Sequence, residues 1–179
     1  IIVSIIGVYK ITVSGSLIDD MPKDKVFYKD IVFFEKEFGG IMPLEIMIDT
    51  KKENGVMSLS TLKKIEKLND AIESIPALSQ TISINNMVKY SKQAFYNGNP
   101  KYFQLPTSQE KTFLLSYLKN SENNTSTLKN IVDPTGRYAR ITTYMKDVGT
   151  DKMSRIQERI QEVIDKEFKS EKYEVTLTG

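Results

Sequence analysis

The stretch "EFGGIMPLEIMIDT", residues Glu37–Thr50, joins a charged helical segment to an apolar alternating segment through two consecutive glycines. Gly39 is the residue expected to end the helix, because glycine adopts positive φ angles without Cβ strain. Beyond the glycines, Leu44, Ile46 and Ile48 alternate with three positions that point the other way, which is the pattern of a half-buried strand. The stretch therefore predicts a helix, a glycine turn and then directly a strand.

The helix before the two glycines carries an aromatic face. Pro22 stands where helices commonly begin, and the apolar residues that follow it recur at spacings of four, three and four. These residues are Phe27, Ile31, Phe34 and Phe38. We expect this face to belong to the core. The alternative is that it lines a substrate path or contacts a neighbouring subdomain.

After residue 50 the patterns predict a helix, a strand, an irregular helical stretch, a strand, a helix and a strand. These elements cover residues 58–75, 78–84, 85–134, 138–147, 150–168 and 173–179. Together with the strand after Gly40 they form two strand-helix-strand units. We therefore predict an α+β fold, a ferredoxin-like split βαβ sandwich with an antiparallel sheet and helices on one face. An N-terminal strand within residues 11–18 and the aromatic helix add a layer.

The composition is that of a folded domain without a strong charge bias. The chain has 179 residues, of which 40% are hydrophobic and 27% charged, and its formal net charge is +2. This length is enough to bury a core in one domain or two small ones. A nucleic-acid binder needs a concentrated basic face, and the sequence has none, so we expect no nucleic-acid partner.

The chain contains neither cysteine nor histidine, which excludes several kinds of catalytic site. Cysteine nucleophiles, Ser-His triads and the usual zinc sites all require one of these residues. A hydrolase with paired carboxylates could use two of Asp49, Asp133 and Asp147, but their spacing matches no recognisable motif. The sequence predicts a protein that is not an enzyme, with no catalytic residue, metal or cofactor.

The first ten residues, "IIVSIIGVYK", form an apolar run that ends in Tyr9 and Lys10. A helix that spans a membrane needs about 20 apolar residues, so this run is too short by itself. Three interpretations stay open: a buried strand, a truncated signal segment, or the last turns of a membrane helix. A tyrosine followed by a lysine is typical of an anchor at the membrane interface.

Four stretches resemble one family of membrane proteins. They are "FFEKEFGGIMPLEIMIDT", "GVMSLSTLKKIEKLNDAI", "ARITTYMKD" and the terminal "VTLTG". They resemble the first extracytoplasmic (porter) loop of exporters of the resistance-nodulation-division superfamily, in its MMPL-like and Patched-like branch. The likeness covers residues 11–179 and is most specific at Phe38–Leu44. The stretch 85–134 matches only in its general helical character.

The resemblance implies a division of the chain. Residues 1–10 would be the tail of the first transmembrane helix, residues 11–42 an N-terminal strand and helix, and residues 43–179 a ferredoxin-like porter domain with a helical insertion at 85–134. A second membrane helix would follow Gly179. The domain would lie on the extracytoplasmic, periplasmic face of the inner (cytoplasmic) membrane.

The resemblance also implies a function. Such exporters use proton flow through acidic residues of their membrane helices to export lipids or other hydrophobic molecules, and this chain contains none of those residues. Its partners would be the second extracytoplasmic loop and the transmembrane helices of the same protein, together with a hydrophobic or lipid substrate. Whether the parent protein is oligomeric stays open.

The insertion provides the candidate residues for substrate contact, because it holds a cluster of large apolar and aromatic side chains. They are Met87, Tyr90, Phe95, Tyr96, Tyr102 and Phe103. The competing interpretation is that these side chains only pack the insertion onto the sheet, as aromatic residues at helical spacing usually do.

Two other functions fit the same architecture. One is a ligand-binding sensor domain of a membrane-anchored receptor, and the other is the extracytoplasmic domain of a protein-export accessory subunit. A second membrane span and a repeat of the domain after Gly179 would indicate an exporter, whereas a kinase-like or cyclase-like module would indicate a sensor.

Overall fold

The computed structural model describes residues 15, 16, 18, 20–120 and 125–178. The expected membrane-helix tail at 1–10 and most of the expected strand at 11–18 lie outside these residues. The elements are α1 (Val26–Phe38), β1 (Met42–Asp49), α2 (Leu59–Glu73), α3 (Ile84–Phe95), a 3-10 turn (Pro100–Tyr102), α4 (Lys111–Asn120), α5 (Thr125–Ile131), β2 (Tyr138–Met145), α6 (Thr150–Glu167) and β3 (Glu174–Thr178). Among the described residues, no helix combines the length and the apolar character needed to cross a membrane.

The three strands form one antiparallel sheet in the order β2-β1-β3. The central strand places Ile46 opposite Ile141 on one side and opposite Leu177 on the other, while Ile48 lies opposite Val175. The prediction that the strand after the two glycines shares a sheet with the strands around 141 and 175 is confirmed. The structure thus shows an α+β fold with an antiparallel sheet.

The strand predicted over 78–84 is wrong in its extent. Leu78 and Ile82 form isolated antiparallel bridges to β2, at Met145 and Thr142. Between these bridges the backbone N–H of Thr81 donates to the Glu73 carboxylate and not to the sheet, which interrupts the ladder. We call residues 78–82 the edge segment, and helix α3 begins immediately after it, at Ile84.

One face of the sheet and two long helices share a single core. The inner face of β1 supplies Leu44, Ile46 and Ile48, all almost inaccessible to solvent. Helix α2 is capped by Ser58, whose hydroxyl accepts a hydrogen bond from the backbone N–H of Thr61. The buried faces of α2 and α6 consist of Leu62, Ile65, Leu68, Ile72, Ile160 and Ile164. The other face of the sheet stays exposed, with Met47 half accessible.

The expectation that the aromatic face of α1 is core is wrong. Phe27, Phe34 and Phe38 are 63%, 54% and 60% exposed, and none of the residues of α1, all of them described, is buried. The inner face of the sheet is already covered by α2 and α6, which leaves no core position for α1. Gly39, with φ of +80°, ends α1 as predicted.

We expect Gly40→Ala to destabilise the fold by about 1–3 kcal/mol. A Cβ at this position would lie 2.6 Å from the backbone carbonyl carbon of Met145, so the backbone would have to move. Gly15→Ala is the matched control, because a Cβ there meets no atom within 4 Å. Urea unfolding followed by circular dichroism measures both variants. Equal stability of the two variants would contradict the close contact.

Candidate functional site

Helix α1 and the end of β2 enclose an apolar groove of about 500 Å³. One wall is the aromatic face of α1, where the rings of Phe34 and Phe38 stack with centroids 5.1 Å apart. The opposite wall contains Ile41 and Tyr144. The full lining, which we call the α1 groove, is Phe27, Asp30, Ile31, Phe34, Phe38, Gly40, Ile41 and Tyr144.

Asp147 holds α1 in place beside the groove. Its Oδ2 accepts hydrogen bonds from the Ser16 hydroxyl at 2.8 Å and from the Ile18 backbone N–H at 2.6 Å. Its own backbone N–H donates to the Glu35 carboxylate of α1 at 2.7 Å. Asp147, two residues past the end of β2, therefore joins both α1 and the chain before α1 to this end of the sheet.

The helical insertion carries a second aromatic surface. Tyr90 and Phe103 contact each other with ring centroids 4.8 Å apart, and Phe95 contacts Phe113 at 5.1 Å. All four side chains are exposed to solvent. Lys89 places its ammonium 5.5 Å from the Phe103 ring, a cation–π contact. We call these four aromatic residues the insertion patch.

The six residues predicted to contact substrate divide into two groups of three. Tyr90, Phe95 and Phe103 lie in the insertion patch, where a ligand has access to them. Met87 is partly buried and packs against the core, and Tyr96 and Tyr102 stack with centroids 4.0 Å apart. For this second group the packing interpretation is the better description.

A buried ion pair lies within the helical insertion that carries the insertion patch. Lys92 is 2% exposed, and its ammonium donates to the Glu110 carboxylate at 2.8 Å and to the Leu105 carbonyl at 3.3 Å. Glu110 also accepts hydrogen bonds from the Tyr96 hydroxyl and from the Thr107 backbone. These contacts tie α3 to the segment that leads into α4.

The electrostatics of this network favour the ionised carboxylate. Partial burial by itself would raise the pKa of Glu110, but the hydrogen bonds from Lys92, Thr107 and Tyr96 outweigh it. They lower the pKa of Glu110 from its ordinary value of 4.5 to about 2. The hydrogen bond to the same carboxylate raises the pKa of the Tyr96 phenol. The Glu110 carboxylate is therefore ionised at neutral pH.

Each of the three aspartates considered for catalysis accepts hydrogen bonds from other residues of the domain. Arg137 donates to both carboxylate oxygens of Asp49, at 2.7 and 2.6 Å, and this lowers the pKa of Asp49. Asp133 accepts the Thr135 hydroxyl at 2.5 Å, and hydrogen bonds of this kind lower its pKa despite partial burial. Asp147 anchors α1.

One residue of the insertion patch was missed from the sequence, and the aromatic face of α1 was misassigned. Phe113 belongs to the insertion patch, but helical spacing alone did not link it to Phe95. The aromatic face of α1 was assigned to the core, because periodicity shows which residues share a face and not what covers that face. The acidic residues that flank this face were a signal for solvent exposure.

We expect Lys92→Met to destabilise the protein by about 2–4 kcal/mol, because it leaves the Glu110 carboxylate in the insertion without its cation. Lys67→Met is the matched control: it removes the exposed ion pair of Lys67 with Glu167, which is worth at most about 1 kcal/mol. Chemical denaturation at neutral pH measures both variants. If the free energy of unfolding falls no more in Lys92→Met than in Lys67→Met, the result would contradict the role of the buried network.

The lowered pKa of Glu110 predicts how stability depends on pH. A carboxyl whose folded pKa lies below its unfolded pKa stabilises the fold above the unfolded value, and this contribution disappears as the pH falls through the folded value. The Glu110 contribution is therefore complete above about pH 4.5 and is lost towards pH 2. In Glu110→Gln, unfolding measured from pH 6 to pH 2 will show a shallower decline. An unchanged decline would contradict the assigned pKa.

No family model matches the chain, and no curated protein sequence matches it. The resemblance to membrane exporters thus stays a prediction from the sequence.

Proposed function

We propose that this chain is an extracytoplasmic porter-type domain of a proton-driven membrane exporter of the resistance-nodulation-division superfamily, in the MMPL-like and Patched-like branch. In this proposal it guides a lipid or another hydrophobic molecule past the membrane surface. The observation that carries the proposal is the insertion patch, two exposed aromatic pairs on a helical insertion that is held by a buried ion pair. Exposed clusters of aromatic side chains mark interaction sites more often than scattered single ones do.

The order of strands supports the ferredoxin-like part of the proposal. The edge segment pairs with β2, β2 pairs with β1, and β1 pairs with β3, all in antiparallel orientation. The unit β1-α2-edge segment is therefore interleaved with the unit β2-α6-β3, since each unit has one strand of the other between its own two. Two interleaved strand-helix-strand units are the defining arrangement of this fold.

The position and build of the insertion support a role in substrate contact. The insertion connects the edge segment to β2, so it joins the two units at one edge of the sheet. The ion pair of Lys92 with Glu110 and the stacked pair Tyr96–Tyr102 hold it in shape. A preorganised aromatic surface loses little conformational entropy when it binds an apolar molecule.

In an exporter, this domain acts as one of two related moving parts above the membrane helices. Two such loops, related by a pseudo-twofold axis, rock against each other and open or close a path for the substrate. Small shearing movements of packed helices make such rocking possible while the sheet stays rigid. The second loop and the membrane helices of the same protein are then its partners, and proton coupling takes place in those helices.

Photolabelling with a diazirine-bearing fatty acid tests the substrate role of the insertion patch. We expect labels to concentrate between residues 87 and 113 and to fall about fivefold in Tyr90→Ser/Phe103→Ser, because the apolar contact area is removed. Phe34→Ser on α1 is the control and will leave this labelling unchanged. Mass spectrometry maps the labels. If the labelling is the same in Tyr90→Ser/Phe103→Ser as in the unchanged chain, the proposed substrate contact at the insertion patch is refuted.

The parent gene tests the exporter class independently. We expect its reading frame to encode an apolar span that ends within residues 1–10, another span after Gly179, and a second domain of the same pattern further on. Sequencing the flanking codons is the measurement. A kinase-like or cyclase-like module after Gly179 would favour the sensor function and exclude the exporter.

A further inference from the structure

We propose that the α1 groove is a docking site for a protein helix whose apolar stripe is bordered by lysine or arginine residues. This inference concerns a surface other than the insertion patch and does not depend on which hydrophobic substrate the domain meets. The groove is apolar, it is open to solvent, and the helix that forms one of its walls contributes nothing to the core.

The shape of the groove favours an elongated apolar partner. Phe27, Phe34 and Phe38 lie at helical positions i, i+7 and i+11, so their rings form a stripe along the axis of α1. Eleven residues of helix extend over roughly 16 Å, the length of about three helical turns. With Tyr144 on the opposite side, this makes a channel that takes the apolar face of a helix, as in other helix-in-groove complexes.

The negative charges beside the groove favour a positively charged occupant. Asp30 lines the groove, and Glu37, seven positions further on, projects from the same side of α1. Within the described part of the chain neither carboxylate has a hydrogen bond or an ion pair, and both residues are exposed. Glu35, by contrast, is engaged by the backbone of Asp147. Two unpaired carboxylates beside an apolar channel complement a basic border on the partner.

The same carboxylates disfavour the other occupants. A second copy docked through its own α1 would bring four like charges, Asp30 and Glu37 from each copy, next to a shared apolar seam. A fatty acid would add a further carboxylate. An anionic bilayer surface would repel the same two groups. A helix with an apolar stripe and basic borders is the occupant that satisfies both the channel and its charges.

Two synthetic helical peptides with the same leucine stripe test the proposal, one bordered by lysines and the other by glutamates. Fluorescence anisotropy measures the binding of each labelled peptide to the full chain. We expect the lysine peptide to bind about tenfold more tightly than the glutamate peptide. Asp30→Lys/Glu37→Lys will reverse this preference, because the exposed charges are exchanged while the apolar wall is kept.

Further variants separate the groove from the rest of the surface. Phe34→Ser/Phe38→Ser will abolish the binding of both peptides, whereas Tyr90→Ser/Phe103→Ser will leave it unchanged, and circular dichroism will show that all variants stay folded. Equal affinity for the two peptides, or no reversal in the charge variant, would overturn the proposal. Two further results would overturn the proposal: a dimer detected by sedimentation, or binding to phosphatidylcholine vesicles, if either is lost in Phe34→Ser/Phe38→Ser. In both cases the groove would be shown to hold a different occupant. None of these results affects the labelling of the insertion patch by the fatty acid.

Discussion

The close contact between Gly40 and the end of β2 determines how the rest of the molecule is arranged. The backbone of Gly40 lies against that of Met145, where any side chain would collide with it, and the next N–H, of Ile41, donates to the Met145 carbonyl at 3.0 Å. The pairing of β1 with β2 starts there. Because β1 is the central strand, its placement also determines the register of β3 and the position of the inner face on which α2 and α6 pack.

The same turn explains why α1 stands apart from the core. Gly39 ends the helix in the left-handed conformation, and Asp147 then ties α1 beside the end of β2. The inner face is occupied by α2 and α6, and the aromatic residues of α1 line the groove together with Ile41 and Tyr144. A helix that contributes no buried residue to its own domain has an apolar face free for a partner.

Much of the fold was predictable from the sequence because its signals are local. The alternation of Leu44, Ile46 and Ile48 identified β1, and the Ser58 cap placed the start of α2. The extent of the edge segment was not predictable, because a hydrogen bond from the Thr81 backbone to Glu73, eight residues earlier, interrupts its ladder. The division of the candidate site into exposed Tyr90 and packed Tyr96 depends likewise on a distant partner, Glu110. Tyr90 and Tyr96 are the same residue type on the same stretch of sequence, so the sequence pattern alone does not separate them.

The two aromatic surfaces suit different tasks, because their shapes and charges differ. The insertion patch is an exposed set of aromatic pairs beside a lysine, supported by a buried ion pair, and it suits contact with a hydrophobic molecule. The α1 groove is a channel bordered by the exposed carboxylates of Asp30 and Glu37, and it suits a protein helix.

Carbene footprinting of Phe27, Phe34 and Phe38 tests most directly the claim that α1 presents its aromatic face to a partner. The labelling of these three residues would be compared between the isolated chain and the membrane exporter of which the chain is proposed to be a part. The account expects strong labelling in the isolated chain and protection in the parent protein. Equal labelling in both, or protection already in the isolated chain, would contradict it.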